Sequence, residues 1–222
     1  MANAQINLTA MRSPEQIMRG LFLDSLTILP ALRALPGGPD LNAGCSLVDV
    51  GTGAGVPGLP LEIMSPRWQA LLIESTAKKA AFVRRVAGEL DLENVVVLPR
   101  RAEEVGRMPE WRDRADICVA RAVAPLPALI ELCAPLVHPD GLMLFPKGED
   151  VQSELSASRE ACAALRVRLE RVHVTSPYLG LGEHRAIAIL RKVGPTPPGY
   201  PRRVGLATSR SLGSPARPKP SR

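Results

Sequence analysis

The stretch LVDVGTGAGVPGLPLEI, residues 47–63, carries two overlapping glycine patterns, and the choice between them decides what the fold is for. Read from Gly53 it is G-x-G-x-x-G (Gly53, Gly55, Gly58), the fingerprint of a dinucleotide site. Read from Asp49 it is D-x-G-x-G-x-G, the usual opening of an S-adenosylmethionine site. Gly51, Gly53 and Gly55 supply a tight turn without Cβ atoms, where backbone N–H groups can approach a ligand, and either cofactor needs that. Glu74 ends the next apolar run, where a carboxylate can accept both hydrogen bonds of a ribose diol, so it also suits either. Asp49 separates the two readings. In a dinucleotide-binding strand that position is ordinarily apolar, whereas here a carboxylate interrupts the strand where a methionyl ammonium could be held. A chain of 222 residues also leaves no second domain to present a hydride acceptor.

Outward from this turn, strand and helix patterns alternate: strand 46–51, helix 57–64, strand 69–75, helix 77–92 and strand 94–99. That is the βαβαβ order of a parallel sheet. In the second helix Val83, Val86, Ala87 and Leu90 share one face, with Lys78 and Arg85 opposite. Strand 116–123, helix 126–136, strand 141–148 and helix 151–165 follow. Two last strands, 168–174 and 185–192, are joined by a loop too short for a parallel crossover, so the sheet ends antiparallel. Ser13-Pro14 opens a helix before the sheet, and PGGPD at 36–40 ends that region. The predicted fold is a Rossmann-like α/β class I S-adenosylmethionine-dependent methyltransferase. It has a mostly parallel seven-stranded sheet with an antiparallel last strand, and an N-terminal helical extension at 1–40. The methyltransferase domain spans 41–193, and a Pro-rich basic tail spans 194–222.

Net charge is +6, but eight basic residues and no acid lie between Arg191 and Arg222, which leaves −2 on residues 1–190. A polyanionic partner is therefore expected to meet the tail, which reads as solvated and wholly outside the cofactor crevice. Arg202 and Arg203 beside Tyr200 are the tail's candidate contacts with a nucleic-acid partner, since a ring can stack on a base while arginines hold phosphates. Lys78, Arg84, Arg85 and Lys147 form the alternative surface for such a partner. Cys45, Cys118, Cys133 and Cys162 show no paired spacing and the three histidines no ligand spacing, so neither a metal nor a disulfide is expected. No apolar run reaches the length of a membrane span, and a cytoplasmic protein, monomeric and off the membrane, is expected.

The motifs NLTAMRSPEQ, LFLDSL, DVGTGAGVPGLPL, LLIESTAKKAAFVRRVAGELDLENVVVLPRRAEEV, VARAVAPL, FPKG, LGEHRAIAILRK and PPGYPRRVG together resemble the bacterial 16S rRNA guanine-N7 methyltransferases, the RsmG or glucose-inhibited division protein B family. The resemblance implies methyl transfer from S-adenosylmethionine to N7 of the guanine at position 527 of 16S rRNA, in the decoding-centre loop of the 30S subunit. It implies a cofactor set of Asp49, Gly51, Gly53, Gly55, Leu59 and Glu74, with the backbone of Ala102 and Glu103 of RAEEV cradling the adenine. Arg121 matches the family's arginine after a small residue, at a strand's carboxyl edge. Arg121 and Lys147 are the candidate catalytic holders of cofactor, phosphate or base, and Arg185 is a candidate RNA contact alongside Lys147. Leu21 stands where the family usually has His, and His184-Arg185 reverses its Arg-His order. Two other readings remain open here: a nicotinamide-dependent oxidoreductase, and a catalytically idle rRNA-binding protein.

Overall fold

The computed structural model describes residues 6–148, 150–175 and 185–214. Seven strands form one sheet: β1 Ser46–Val50, β2 Gln69–Ile73, β3 Val95–Leu98, β4 Ala115–Val119, β5 Val137–Lys147, β6 Val167–Val174 and β7 Ala186–Lys192. Their order is β3-β2-β1-β4-β5-β7-β6, and β7 alone runs antiparallel to its neighbours. The crossover argument from the sequence therefore describes the sheet. Strand order reverses between β1 and β4, and at such a switch point the loops leaving the carboxyl ends open a crevice.

Side chains alternate across the sheet because successive residues of a strand point to opposite faces. Leu47, Ala70 and Leu72 pack beneath α3 Ile28–Arg33, α4 Gly58–Met64 and α5 Ala77–Glu89. Val48, Val50, Leu71 and Ile73 pack on the other face, under α7 Leu126–Cys133 and α9 Arg159–Leu165. The helix expected over 77–92 ends at Glu89, so Leu90 is half exposed, and Leu92 packs against the core instead. The helix expected over 151–165 is divided at Ser158, whose Oγ donates to Glu154 O at 2.7 Å, into α8 Val151–Ala157 and α9. Hydroxyl back-bonding of this kind bends helices.

The N-terminal extension starts as its sequence predicts. Ser13 caps α1 Pro14–Ile17 with a reciprocal Ser13–Gln16 box. A π-helical stretch, Met18–Leu23, then carries the chain into α2 Asp24–Leu26 and α3. A single continuous helix is thus replaced by a run with one widened turn.

The tail departs most from expectation. Residues 194–214 are anchored on the body at several points, with Gly194, Thr196, Pro201 and Ala207 buried. Lys192 is fully buried and donates to Asp113 Oδ1 (2.7 Å), Ala134 O, Val137 O and Thr196 Oγ1. Arg112 donates to the carbonyls of Gly106, Thr196, Pro197 and Tyr200. A short helix, α10 Leu206–Ser209, sets Ala207 into the core beside α7. The composition of the segment looked disordered, but its apolar and carbonyl groups find partners placed by the rest of the chain.

Glu62 on α4 is 2% exposed, and its Oε2 has no partner among the described residues. Burial pushes its carboxyl up to about 7. The folded state therefore holds a proton that the unfolded chain releases, and stability falls as pH rises from the ordinary glutamate range to about 7. Glu62→Gln should raise the melting temperature at about pH 8 and change it little at about pH 4. Equal shifts at both pH values in calorimetry would contradict a buried, protonated Glu62.

Candidate functional site at the carboxyl edge

β1 delivers the chain to Gly51, where the N–H groups of Gly51 and Thr52 both donate to Ile73 O, at 2.8 and 3.1 Å. The turn is braced from below by Asp49, which is fully buried. Its Oδ2 accepts Thr52 Oγ1 at 2.6 Å and Gly58 N at 2.9 Å. Oδ1 has no partner among the described residues, and burial pushes the carboxyl up to about 6, against the pull of those two donors. Asp49 thus sits beneath the glycines, as expected, and braces the loop through Oδ2.

Gly51 has φ of +71°, and a Cβ there would lie 2.6 Å from Val123 Cγ2. Gly53 has φ of +59° and lines the cavity. A Cβ there would meet no protein atom nearer than 3.9 Å, so it would occupy ligand space. Gly55 and Leu59 pack on each other behind the loop, which corrects their expected place against a ligand: a Cβ on Gly55 would strike Leu59 Cδ1 at 2.5 Å. Glu74 lies at the end of β2, where Oε2 accepts Gly53 N at 3.0 Å and Oε1 accepts Thr76 N at 2.7 Å.

These residues open onto a cavity of about 560 Å³, walled by the glycine turn, Glu74, Lys79, the 121–123 turn, Arg185 and the N-terminal residues Leu8, Met11, Gly20 and Asp24. Arg121 is both wall and tie. Its Nη1 donates to Gly20 O at 2.9 Å, in the π-helical stretch, and to Asp24 Oδ2 at 3.0 Å. Arg185 reaches the same carboxylate at 3.3 Å. Ala122, next to Arg121, holds φ of 55°, a costly conformation for a residue with a Cβ and one that concentrates at functional sites. Asp24 was not singled out from the sequence. Its signal was a lone carboxylate inside the apolar run LFLDSLTIL.

A smaller pocket of about 160 Å³ adjoins the first through Gly51, Ser75 and Val123, and holds Ala102 and Glu103 together with Gly205 and Thr208. The structure does not bring Lys147, Arg202 or Arg203 to either pocket. Lys147 Nζ pairs with Glu154 Oε2 at 2.7 Å, and the same oxygen accepts Leu126 N at 2.6 Å, so this lysine steadies the start of α7. Arg202 is held by the fully buried Glu131, with Nη2 2.5 Å from Oε2, which corrects its expected place on RNA phosphate. Arg203 is exposed. A further cavity of about 400 Å³, near Ser46, Gln69 and Trp111, lies at the amino ends of the strands, away from the glycine turn. Among the described residues no three His, Cys, Asp or Glu side chains could share a metal ion, and no helix is long and apolar enough to cross a membrane.

The family model for rRNA small subunit methyltransferase G matches residues 1–179. A ribosomal RNA small subunit methyltransferase G from Roseiflexus sp. (strain RS-1) is 44% identical, over 95% of this chain and 86% of its own length. Among solved structures, an S-adenosylmethionine-dependent methyltransferase from Aquifex aeolicus aligns over 84% of this chain and 97% of its own, with TM-score 0.58 and 16% identity. A mutant of MtNAS in complex with S-adenosylmethionine aligns over 86% and 70%, with TM-score 0.59 and 17% identity. These two likenesses show the fold.

Breaking a buried ion pair leaves one charge uncompensated and costs about 3–5 kcal/mol. Arg121→Ala should therefore destabilise the protein, toward the lower end of that range because Arg185 still reaches Asp24. Adding Asp24→Ala to Arg121→Ala should cost less than the sum of the single variants. Strict additivity across the four denaturant melts would contradict the tie.

Proposed function

The chain belongs to the rRNA small subunit methyltransferase G family, and from that premise we propose that it methylates N7 of the guanine at position 527 of 16S rRNA. It is an S-adenosylmethionine-dependent methyltransferase of small-subunit rRNA. Neither the nicotinamide-dependent oxidoreductase nor the idle RNA-binding protein finds support among the relatives. Its action on ribosomal RNA puts its work in the cytoplasm, with the 30S subunit or its precursors as partner.

The observation that carries the reading is the meeting of Gly53, Glu74, Arg121 and Asp24 around one cavity at the sheet's switch point. The residues fit the cofactor on two counts: the position beside Gly53 that a Cβ would fill is open, and a carboxylate faces the same space. When bound, S-adenosylmethionine supplies a methyl group activated by an adjacent sulfonium. Glu74 would hold the ribose hydroxyls, and Gly51 and Gly53 would line the ligand. Ala102 and Glu103 line the pocket for the adenine.

Guanine N7 has an in-plane lone pair and no proton, so the enzyme needs no general base. What it must supply is position, and holding two reactants in a near-attack arrangement can contribute about 7–11 kcal/mol. Arg121, fixed by Gly20 O and Asp24, sets one wall of the cavity in which cofactor and base would meet. Lys147 acts on the same turn indirectly, through Glu154 and the N–H of Leu126. Lys79 in the cavity wall and the exposed Lys78, Arg84, Arg85 and Arg203 face the RNA backbone.

Labelled methyl transfer to 30S subunits lacking the modification should place the label on N7 of that guanine; no label on rRNA would overturn the proposal. Glu74→Ala should weaken S-adenosylmethionine binding by about 1–3 kcal/mol, the usual cost of removing a charged acceptor. RNA affinity should stay near wild type, and an unchanged cofactor affinity in calorimetry would remove Glu74 from the ribose.

A further inference from the structure

We propose that the C-terminal segment around α10 is a working part of the cofactor site, closing the adenine end of the pocket, so that docking of this segment and binding of the cofactor reinforce each other. The inference rests on the S-adenosylmethionine reading above and goes beyond it. It also reverses the expectation that the crevice lies wholly upstream of the tail.

The link is the carboxylate of Glu103, a buried side chain on the four-residue helix α6 Ala102–Val105. Its Oε1 accepts the N–H of Gly205 at 2.8 Å, from a residue 102 positions later in the chain. Gly205 sits at φ of +78° and caps α10, which turns its N–H away from the helix and toward Glu103. Oε2 of Glu103 accepts no hydrogen bond among the described residues, so it is available to an exocyclic amine such as that of adenine. Gly205 thus fixes the rotamer of the carboxylate that the ligand meets, and Thr208 adds a hydroxyl to the same pocket.

The segment is held there by built contacts. Arg202 donates from Nε and Nη2 to Glu131, whose side chain is fully buried, and its backbone N–H reaches the same carboxylate at 3.0 Å. Arg107 donates to Pro201 O from two nitrogens. A flexible arm serving only to attract RNA would not need a buried carboxylate as its anchor. By linkage, a ligand touching both Glu103 and the docked segment must stabilise the docked state by the same factor that docking raises its affinity.

Tryptic cleavage after Arg203 and Arg210, followed by mass spectrometry and measured relative to cleavage after the exposed Arg67 at the opposite edge of the sheet, tests this in the full-length protein. Saturating S-adenosylmethionine, or adenosine alone, should slow the two C-terminal cleavages about tenfold against Arg67, a typical size for coupling between sites. Methionine alone should not. In parallel, the paired change Glu131→Gln with Arg202→Gln, which keeps an amide in place of each charge, should raise the dissociation constant for S-adenosylmethionine by a similar factor. Because the cleavage assay uses wild type, the result stands even where the double variant folds poorly. Binding of S-adenosylmethionine that leaves the ratio of cleavage rates unchanged overturns the coupling while sparing the cofactor assignment. Failure of the wild type to bind S-adenosylmethionine at all overturns both.

Discussion

A single buried carboxylate holds the geometry on which the site depends. Asp49 sits where β1 ends, and through Oδ2 it joins the hydroxyl of Thr52 to the N–H of Gly58, drawing both ends of the glycine turn onto the strand beneath. Burying a carboxylate is costly, and the raised pKa of Asp49 registers that cost. The return is a turn whose path is over-determined: two N–H groups on Ile73 O, one on Glu74, and a floor that an apolar residue could not provide, since it accepts no hydrogen bonds. Gly51 then lies against Val123 with no room for a side chain, so the exits of β1 and β4 are locked together.

The two ends of the chain are joined to this centre by the same device. Asp24 binds the N-terminal extension to Arg121 and Arg185, and Glu131 binds the C-terminal segment through Arg202. Lys192, with Asp113 and Thr196, secures the turn between β7 and that segment. Such pairs contribute little net stability compared with apolar contacts, but they are demanding in geometry and costly to break. They suit segments that must occupy one position beside a site rather than merely adhere to a core.

Of the charged side chains that wall the cavity, Asp24, Arg121 and Arg185 are tied to one another, and Glu74 accepts two backbone N–H groups. That arrangement holds walls at fixed distances, which is how an enzyme contributes when orientation is the main barrier.

The local parts of this protein were legible in its sequence for local reasons. Continuous apolar runs marked buried parallel strands, Ser13-Pro14 marked a helix start, and the spacing of Asp49 and the glycines marked the cofactor turn, because each of these depends on residues a few positions apart. The antiparallel finish followed from a loop too short to cross over. What the sequence could not disclose are the pairings of residues far apart in the chain. Arg202 looked like a phosphate contact until the fold placed Glu131, 71 positions earlier, beneath it. Lys192 looked like part of a basic tail until burial gave it four acceptors. The bracing of Asp49 by Thr52 and Gly58 likewise appears only once the turn is folded. A charged side chain carries the same chemistry in every setting, and only the tertiary structure decides whether its partner is a ligand, solvent or another part of the chain, because that choice turns on burial and on which distant groups share the space.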